Sequence, residues 1–134
     1  MNAPGRWPTK VLRLTVAGGP RAPERVRSWL GSAALWLPQE LERNLMLLTC
    51  ELVNNSVLHG QAGEEDVIEI EVARTAVGVR AQVSDSGPGF APGDRERGLD
   101  EPGGWGLVLV DRMAARWGVE RHEGTSVWFE LARA

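Results

Sequence analysis

Alternation of apolar and polar side chains along the chain predicts a β-sheet. The segments predicted as strands are residues 10–16, 67–72, 78–83, 117–120 and 125–131. Successive side chains of a strand point to opposite faces, so each alternating segment is expected to bury one face against a core. Residues 75–77 form a short connection between the second and third segments, which favours a hairpin. A turn at Glu123 and Gly124 separates the last two.

Apolar residues at helical spacing predict three helices between these strands. The first runs from Pro23 to about Ala34. The second, from about Gln39 to His59, follows a Leu-Pro break that suits a helix start and ends before Gly60. The third covers residues 107–115 and is strongly apolar. It follows a stretch that is rich in glycine.

The order of these elements predicts an α+β fold. Helices are expected on one face of a mixed, mostly antiparallel sheet, which makes a two-layer α/β sandwich. The 134 residues, 43% of them hydrophobic, suffice for one domain with a substantial core. We therefore expect a flexible N-terminus over residues 1–9 and a single domain over residues 10–134.

Composition narrows the classes of function. The net charge of -3 does not suggest a basic nucleic-acid surface. No apolar run is long enough to span a membrane, and residues 1–6 lack the apolar core of a signal peptide. Cys50 is the only cysteine and fits a small buried hydrophobe. We expect a cytoplasmic protein. We assign most of its six tryptophans to the core, and some of them are open to exposure at the surface.

Glu51 and Asn55 are the first candidates for chemistry. They lie four residues apart in the second predicted helix, so they project about 40° apart on successive turns beside its apolar face. A carboxylate and a carboxamide there are costly to bury unless something satisfies them. Hydrated magnesium and a phosphate would do so, with Asn55 as a metal ligand and Glu51 as a general base. The alternative is an ordinary solvated helix edge.

A second candidate group follows the strand at residues 78–83. Asp85 at the end of that strand is suited to accept a hydrogen bond from an exocyclic amine. Gly87 and Gly89 would let the backbone approach a flat ring closely. The hydroxyl of Thr125, which opens the last strand, is placed to join Asp85 through water. An ordinary Asp-Gly turn is the alternative.

Residues 91–103 form a long polar segment without periodicity, as functional loops often do. The glycines at positions 103, 104 and 106 then open a helix. Free N–H groups and the helix dipole make such an end an anion site. A flexible hinge before a core helix is the alternative.

The order of these motifs is more specific than any one of them. A Glu-x-x-x-Asn helix precedes Asp-x-Gly-x-Gly, a lid, Gly-Gly-x-Gly before a helix, and a strand that starts with Gly-Thr. Over residues 10–131 this order resembles the GHKL (Bergerat-fold) ATPase superfamily. Within it, the sequences ELVNNSVLHG at 51–60, GGWGLVLVD at 103–111 and VWFEL at 127–131 resemble the bacterial anti-sigma factor serine/threonine kinases.

The resemblance implies a role for each motif residue toward ATP and Mg²⁺. Glu51 matches the general base of the family, and Asn55 matches its magnesium ligand. Gly104 and Gly106 match the glycines that border the lid and hold the phosphates. Lys10 is the only lysine of the chain, so the lid has none, and its phosphate-binding charge would have to come from arginine.

The resemblance also implies how adenine would be bound. Asp85 matches the residue that binds the adenine amine, with Gly87 and Gly89 beside it and with Thr125 in support. Arg95 and Arg97 are our candidates for the positive charge in the lid. Solvated loop charges are the alternative for both arginines.

As for function, the resemblance implies an ATP-binding anti-sigma factor that phosphorylates a serine of an anti-anti-sigma partner. Such proteins typically form homodimers and hold a sigma factor in check. Direct contact with nucleic acid or a membrane is not expected. The alternative function is a nucleotide-sensing interaction switch that transfers no phosphate.

Overall fold

A computed structural model describes residues 10–33, 35–58, 63–85, 105–121 and 124–133. The elements in chain order are β1 (Lys10–Ala17), α1 (Ala22–Ser32), α2 (Gln39–Leu58), β2 (Val67–Arg74), β3 (Gly78–Asp85), α3 (Trp105–Met113), β4 (Arg116–Arg121) and β5 (Thr125–Ala132). Each predicted helix and strand is present, and most ends agree with the prediction within two residues.

The strands form one sheet in the order β1-β2-β3-β5-β4. Every pairing among the described strands is antiparallel. The predicted hairpin joins β2 to β3, where Thr75 Oγ1 accepts hydrogen bonds from the backbone N–H groups of Val77 and Gly78. A side chain at Gly78 would collide with the carbonyl of Leu131 on β5, so this turn requires glycine. The predicted α+β sandwich is confirmed.

The core lies between α2 and one face of the sheet, which we call the inner face. Alternate residues of the central strands point into it, and all of them are less than 9% exposed. These residues are Ile68, Ile70, Val72, Val79, Ala81, Val83, Val127, Phe129 and Leu131. Helix α2 contributes Leu45, Leu48 and Leu52 from the opposite side. We call the space between the helices and this face the inner layer, and the opposite side of the sheet the outer face.

Helix α3 differs from its prediction at both ends. It begins at Trp105 rather than Leu107 and ends at Met113 rather than Ala115. The reason for the early end is tertiary, because the N–H of Ala115 donates to the carbonyl of Glu130 on β5 at 2.8 Å. The chain has therefore already joined the sheet at a position where the sequence still favours helix.

Trp36 lies in the connection between α1 and α2 and is 77% exposed. Its backbone has a φ of 57°, the left-handed region that bulky residues rarely adopt. The neighbours on either side, Leu35 and Leu37, are buried, and Arg74 of β2 donates to the carbonyl of Leu35 at 2.5 Å. Two buried leucines and a buried arginine thus hold this connection while Trp36 points to solvent.

No helix among residues that the structure describes is both long and apolar enough to cross a bilayer.

Candidate functional site

The C-terminal half of α2 presents the first pair of predicted site residues. Asn55 is 6% exposed, and its Oδ1 atom has no hydrogen-bond partner among the described residues. Glu51 lies one turn earlier and is half-buried. A buried carbonyl oxygen without a partner costs roughly 1–3 kcal/mol, so folding leaves this acceptor available at a cost. A hard cation or an N–H donor would satisfy it.

The end of β3 presents the second pair together with the start of β5. Asp85 and Thr125 are directly opposite in the register of these strands. Directly opposed residues bring their Cβ atoms to within about 4.5–5.5 Å, so the two side chains are neighbours. Both belong to the inner face, since each is two residues from a buried valine, Val83 in β3 and Val127 in β5.

Thr125 has the same unusual property as Asn55. It is 4% exposed, and its Oγ1 atom has no hydrogen-bond partner in the part of the chain that the structure describes. Asp85 beside it is half-buried, which keeps its carboxylate within reach of a ligand. A flat ring with an exocyclic amine would offer a donor to this carboxylate, and a hydroxyl group is able to donate or accept alongside it.

Helix α2, which carries the first pair, packs against the strands that carry the second pair. It contacts both β3 and β5, the strands that carry Asp85 and Thr125, and α3 packs against it as well. Gly106 lies in the first turn of α3. A helix N-terminus presents unpaired backbone N–H groups, which favour an anion.

The remaining predicted site residues lie outside the described residues. These are Gly87, Gly89, Gly104, Arg95 and Arg97, and the predicted lid over residues 91–103 lies there with them. Their proposed roles stay predictions.

One buried polar atom was not among the predicted site residues. Thr49 of α2 is fully buried, and its Oγ1 atom lacks a partner among the described residues. Helical geometry places it on the side of α2 that carries Leu45, Leu52 and Val53. The only sequence signal was a hydroxyl residue within an apolar helix face.

Cys50 is buried, as predicted for a small apolar side chain. Its Sγ lies 3.8 Å from the carbonyl oxygen of Pro23 in α1. Burial raises the pKa of the thiol, and the nearby Arg27 guanidinium offsets only part of this effect. The thiol stays protonated at neutral pH, which does not suit a nucleophile.

Comparison with known proteins shows the family and the fold of the chain. The family model of the histidine kinase-like ATPase domain matches residues 19–131. Among solved structures, one similar chain contains the RsbU and RsbW domains of Rv1364c from Mycobacterium tuberculosis, with a TM-score of 0.69 and 24% sequence identity. The match covers 95% of this chain and 34% of that one, so the chain spans about a third of its length. No curated protein matches the sequence.

The family match covers all three buried oxygen atoms that lack a partner among the described residues, and it covers both strands of the Asp85–Thr125 pair. The fold match extends over nearly the whole chain. Sequence order, sheet topology and the family model thus agree, and the chain belongs to the histidine kinase-like ATPase family.

Proposed function

We propose that this protein is an ATP-binding anti-sigma factor with serine/threonine kinase activity toward an anti-anti-sigma partner. The observation that carries the nucleotide site is a pair of buried oxygens, Asn55 Oδ1 and Thr125 Oγ1, that have no hydrogen-bond partner within the described part of the chain. In a chain of this ATPase family, both lie at positions where the motif pattern assigns a ligand. The likeness of fold to a chain that contains an RsbW domain supports the anti-sigma assignment.

Asp85 and Thr125 are assigned to the nucleotide base. The carboxylate of Asp85 accepts a hydrogen bond from the exocyclic amine of adenine. Thr125, directly opposite in the sheet, supplies the hydroxyl that completes this polar edge. Gly87 and Gly89 are assigned to the close approach of backbone to the ring. Because the two side chains belong to adjacent strands, the sheet fixes their relative position before any ligand binds.

Asn55 is assigned to magnesium, and Gly104 and Gly106 to the phosphates. The carboxamide oxygen of Asn55 is a hard neutral ligand, which suits Mg²⁺ together with water and phosphate oxygens. When bound, Mg²⁺ neutralises charge on the transferring phosphoryl group. The backbone N–H groups at the start of α3 hold phosphate oxygens, aided by the helix dipole. Arg95 and Arg97 are proposed to supply charge from the lid.

Glu51 is assigned to the proton of the acceptor. As the bond between the seryl Oγ and the terminal phosphorus forms, the bond from that phosphorus to the bridging oxygen of ADP breaks. The carboxylate of Glu51 takes the hydroxyl proton and ADP leaves. Glu51 is half-buried, so it is open to a protein substrate while Asn55 one turn later faces the interior.

The assigned partners are a sigma factor, which the protein would hold in check, and the serine-bearing anti-anti-sigma factor. A homodimer, a cytoplasmic location and no direct contact with nucleic acid or membrane belong to the same proposal. Sedimentation analysis of the purified protein with and without nucleotide tests the dimer. A single species at monomer mass at micromolar concentration would contradict it.

Calorimetric titration with ATP and ADP, each with and without Mg²⁺, tests the nucleotide site. We expect magnesium-dependent binding that Asn55→Ala weakens by 100-fold or more, since the only carboxamide assigned to the metal is lost. Asn54→Ala is the matched control, because the adjacent Asn54 is half-buried on another side of α2. Equal losses in both variants, or no binding to the wild type at millimolar nucleotide, would contradict the assignment.

Phosphoryl transfer separates the kinase from the alternative, a nucleotide-sensing switch. The protein is incubated with ATP and an anti-anti-sigma protein from the same genome, and phosphoserine is measured by mass spectrometry. The kinase predicts phosphoserine that Glu51→Gln reduces by at least 100-fold with nucleotide affinity unchanged. ATP-dependent binding of the partner without phosphoserine would favour the switch.

A further inference from the structure

Helix α2 carries two exposed leucines on the same side as Glu51. Leu47 is 41% exposed and Leu58 is 50% exposed. The other leucines of α2 are each less than 9% exposed, and they are Leu41, Leu45, Leu48 and Leu52. Glu51 follows Leu47 by four residues and precedes Leu58 by seven. Spacings of four and seven place these side chains on one helical line, with Glu51 between the two leucines.

Because a serine side chain is short, a protein that presents its serine to Glu51 must also come close to Leu47 and Leu58. A hydroxymethyl group is short, so an acceptor serine reaches the Glu51 carboxylate only when the backbone of its protein comes close to α2. Leu47 lies about 6 Å and Leu58 about 10 Å from Glu51 along the helix axis, at about 1.5 Å of rise per residue. A standard protein interface covers roughly 800 Å² on each partner, which extends about 15 Å from its centre. A folded acceptor centred on Glu51 therefore covers both leucines.

We infer that Leu47 and Leu58 form the docking surface for the serine-bearing protein and determine which acceptor is phosphorylated. This inference rests on the proposed kinase function. The partner that fits is a folded protein whose acceptor serine is flanked by apolar side chains, one on each side. Those side chains bury the two leucines when the serine reaches Glu51. Burying the two leucines removes apolar surface from water, which favours an acceptor that has apolar side chains at the matching positions.

The experiment uses the full chain and an anti-anti-sigma protein from the same genome as the probe. Leu47→Asp, Leu58→Asp and the double variant are compared with the wild type. Val77→Asp is the matched control, since Val77 is 65% exposed on the β2–β3 turn, outside the line. We expect the KM for the acceptor protein to rise about tenfold in each single variant and further in the double variant. The Kd for ATP is expected to change less than twofold in the leucine variants. The KM for the acceptor protein is expected to change less than twofold in Val77→Asp.

A double variant with the wild-type KM for the acceptor would overturn the docking surface and leave the kinase intact. A wild type that transfers no phosphate would contradict the kinase instead. In that case a photo-crosslinking residue at position 47, 58 or 77 tests the surface directly. Crosslinks to the acceptor from 47 and 58 but not from 77 support docking on α2, and their absence overturns it.

Discussion

The outer face of the sheet and the inner layer treat polar groups in opposite ways. On the outer face, polar side chains bond one another both across neighbouring strands and along β3. These pairs are Arg13 with Glu71, Arg80 with Gln82, Gln82 with Ser84, Ser84 with Ser126, and Arg116 with Glu130. In the inner layer, Thr49, Asn55 and Thr125 each keep an oxygen without a partner among the described residues.

This difference between the two sides of the sheet indicates where a ligand would bind. Groups that are half-exposed gain little from pairing, yet the outer face pairs them. Trp128 belongs to this network, with the guanidinium of Arg80 at 5.1 Å from its ring centre and that of Arg116 at 5.9 Å. Unpaired buried groups are costly, yet the inner layer keeps them. That cost is repaid when a ligand satisfies the atoms, as we propose for Asn55 and Thr125.

The apolar part of the inner layer should dominate stability. Phe129 is fully buried at the centre of β5, and Phe129→Ala is expected to lower the free energy of unfolding by about 3–5 kcal/mol through lost contacts and a cavity. Chemical denaturation measures this, with Val77→Ala on an exposed turn as the control. A loss below about 1 kcal/mol would mean that this layer does not hold the fold together.

Thr125→Val, which removes the Oγ1 atom, should change stability and ATP binding in opposite directions. Removing an unsatisfied buried hydroxyl should raise the free energy of unfolding of the ligand-free protein by about 1–2 kcal/mol. The same change should weaken ATP binding about tenfold, because the polar edge beside Asp85 loses a member. Thermal denaturation and titration on one preparation measure both. Reduced stability would show that the hydroxyl has a partner in the folded protein.

Thr49→Val tests whether the third buried oxygen without a partner among the described residues also belongs to the ATP site. The hydroxyl of Thr49 is equally buried but projects about 120° away from Asn55 around the axis of α2. We expect a gain of about 1 kcal/mol in stability with ATP affinity unchanged. If ATP affinity fell tenfold as well, Thr49 would belong to the binding site together with Thr125.

The polar pairs on the outer face should contribute least to the free energy of unfolding. Arg13 and Glu71 are 2.9 Å apart with side chains 74% and 40% exposed. A double-mutant cycle with Arg13→Ala and Glu71→Ala is expected to give a coupling of about 0.2–1 kcal/mol that weakens with salt. A salt-independent coupling well above this range would mean that the outer face stabilises the fold as strongly as the core.

Local patterns were sufficient to predict the strands and helices, because each depends on side chains a few residues apart. We expected the Thr125 hydroxyl near Asp85, but local patterns could not give the register that sets the two residues opposite each other, since β3 and β5 are distant in sequence. The early end of α3 depends on a bond from Ala115 to another strand. Tryptophan content likewise did not reveal that the backbone at Trp36 turns that ring to solvent.

The register of β3 against β5 makes the proposed site sensitive to chain length as well as to residue type. Side chains alternate between faces, so shifting β5 by one residue would turn Thr125 outward and put Ser126 opposite Asp85. An insertion or deletion of one residue just before β5 that shifts this register would therefore leave every motif in the sequence, yet it would put the hydroxyl of Ser126 in place of that of Thr125 and turn the buried Phe129 to the outer face. In related chains, length variation is then expected to avoid this connection, even where the residues within it differ.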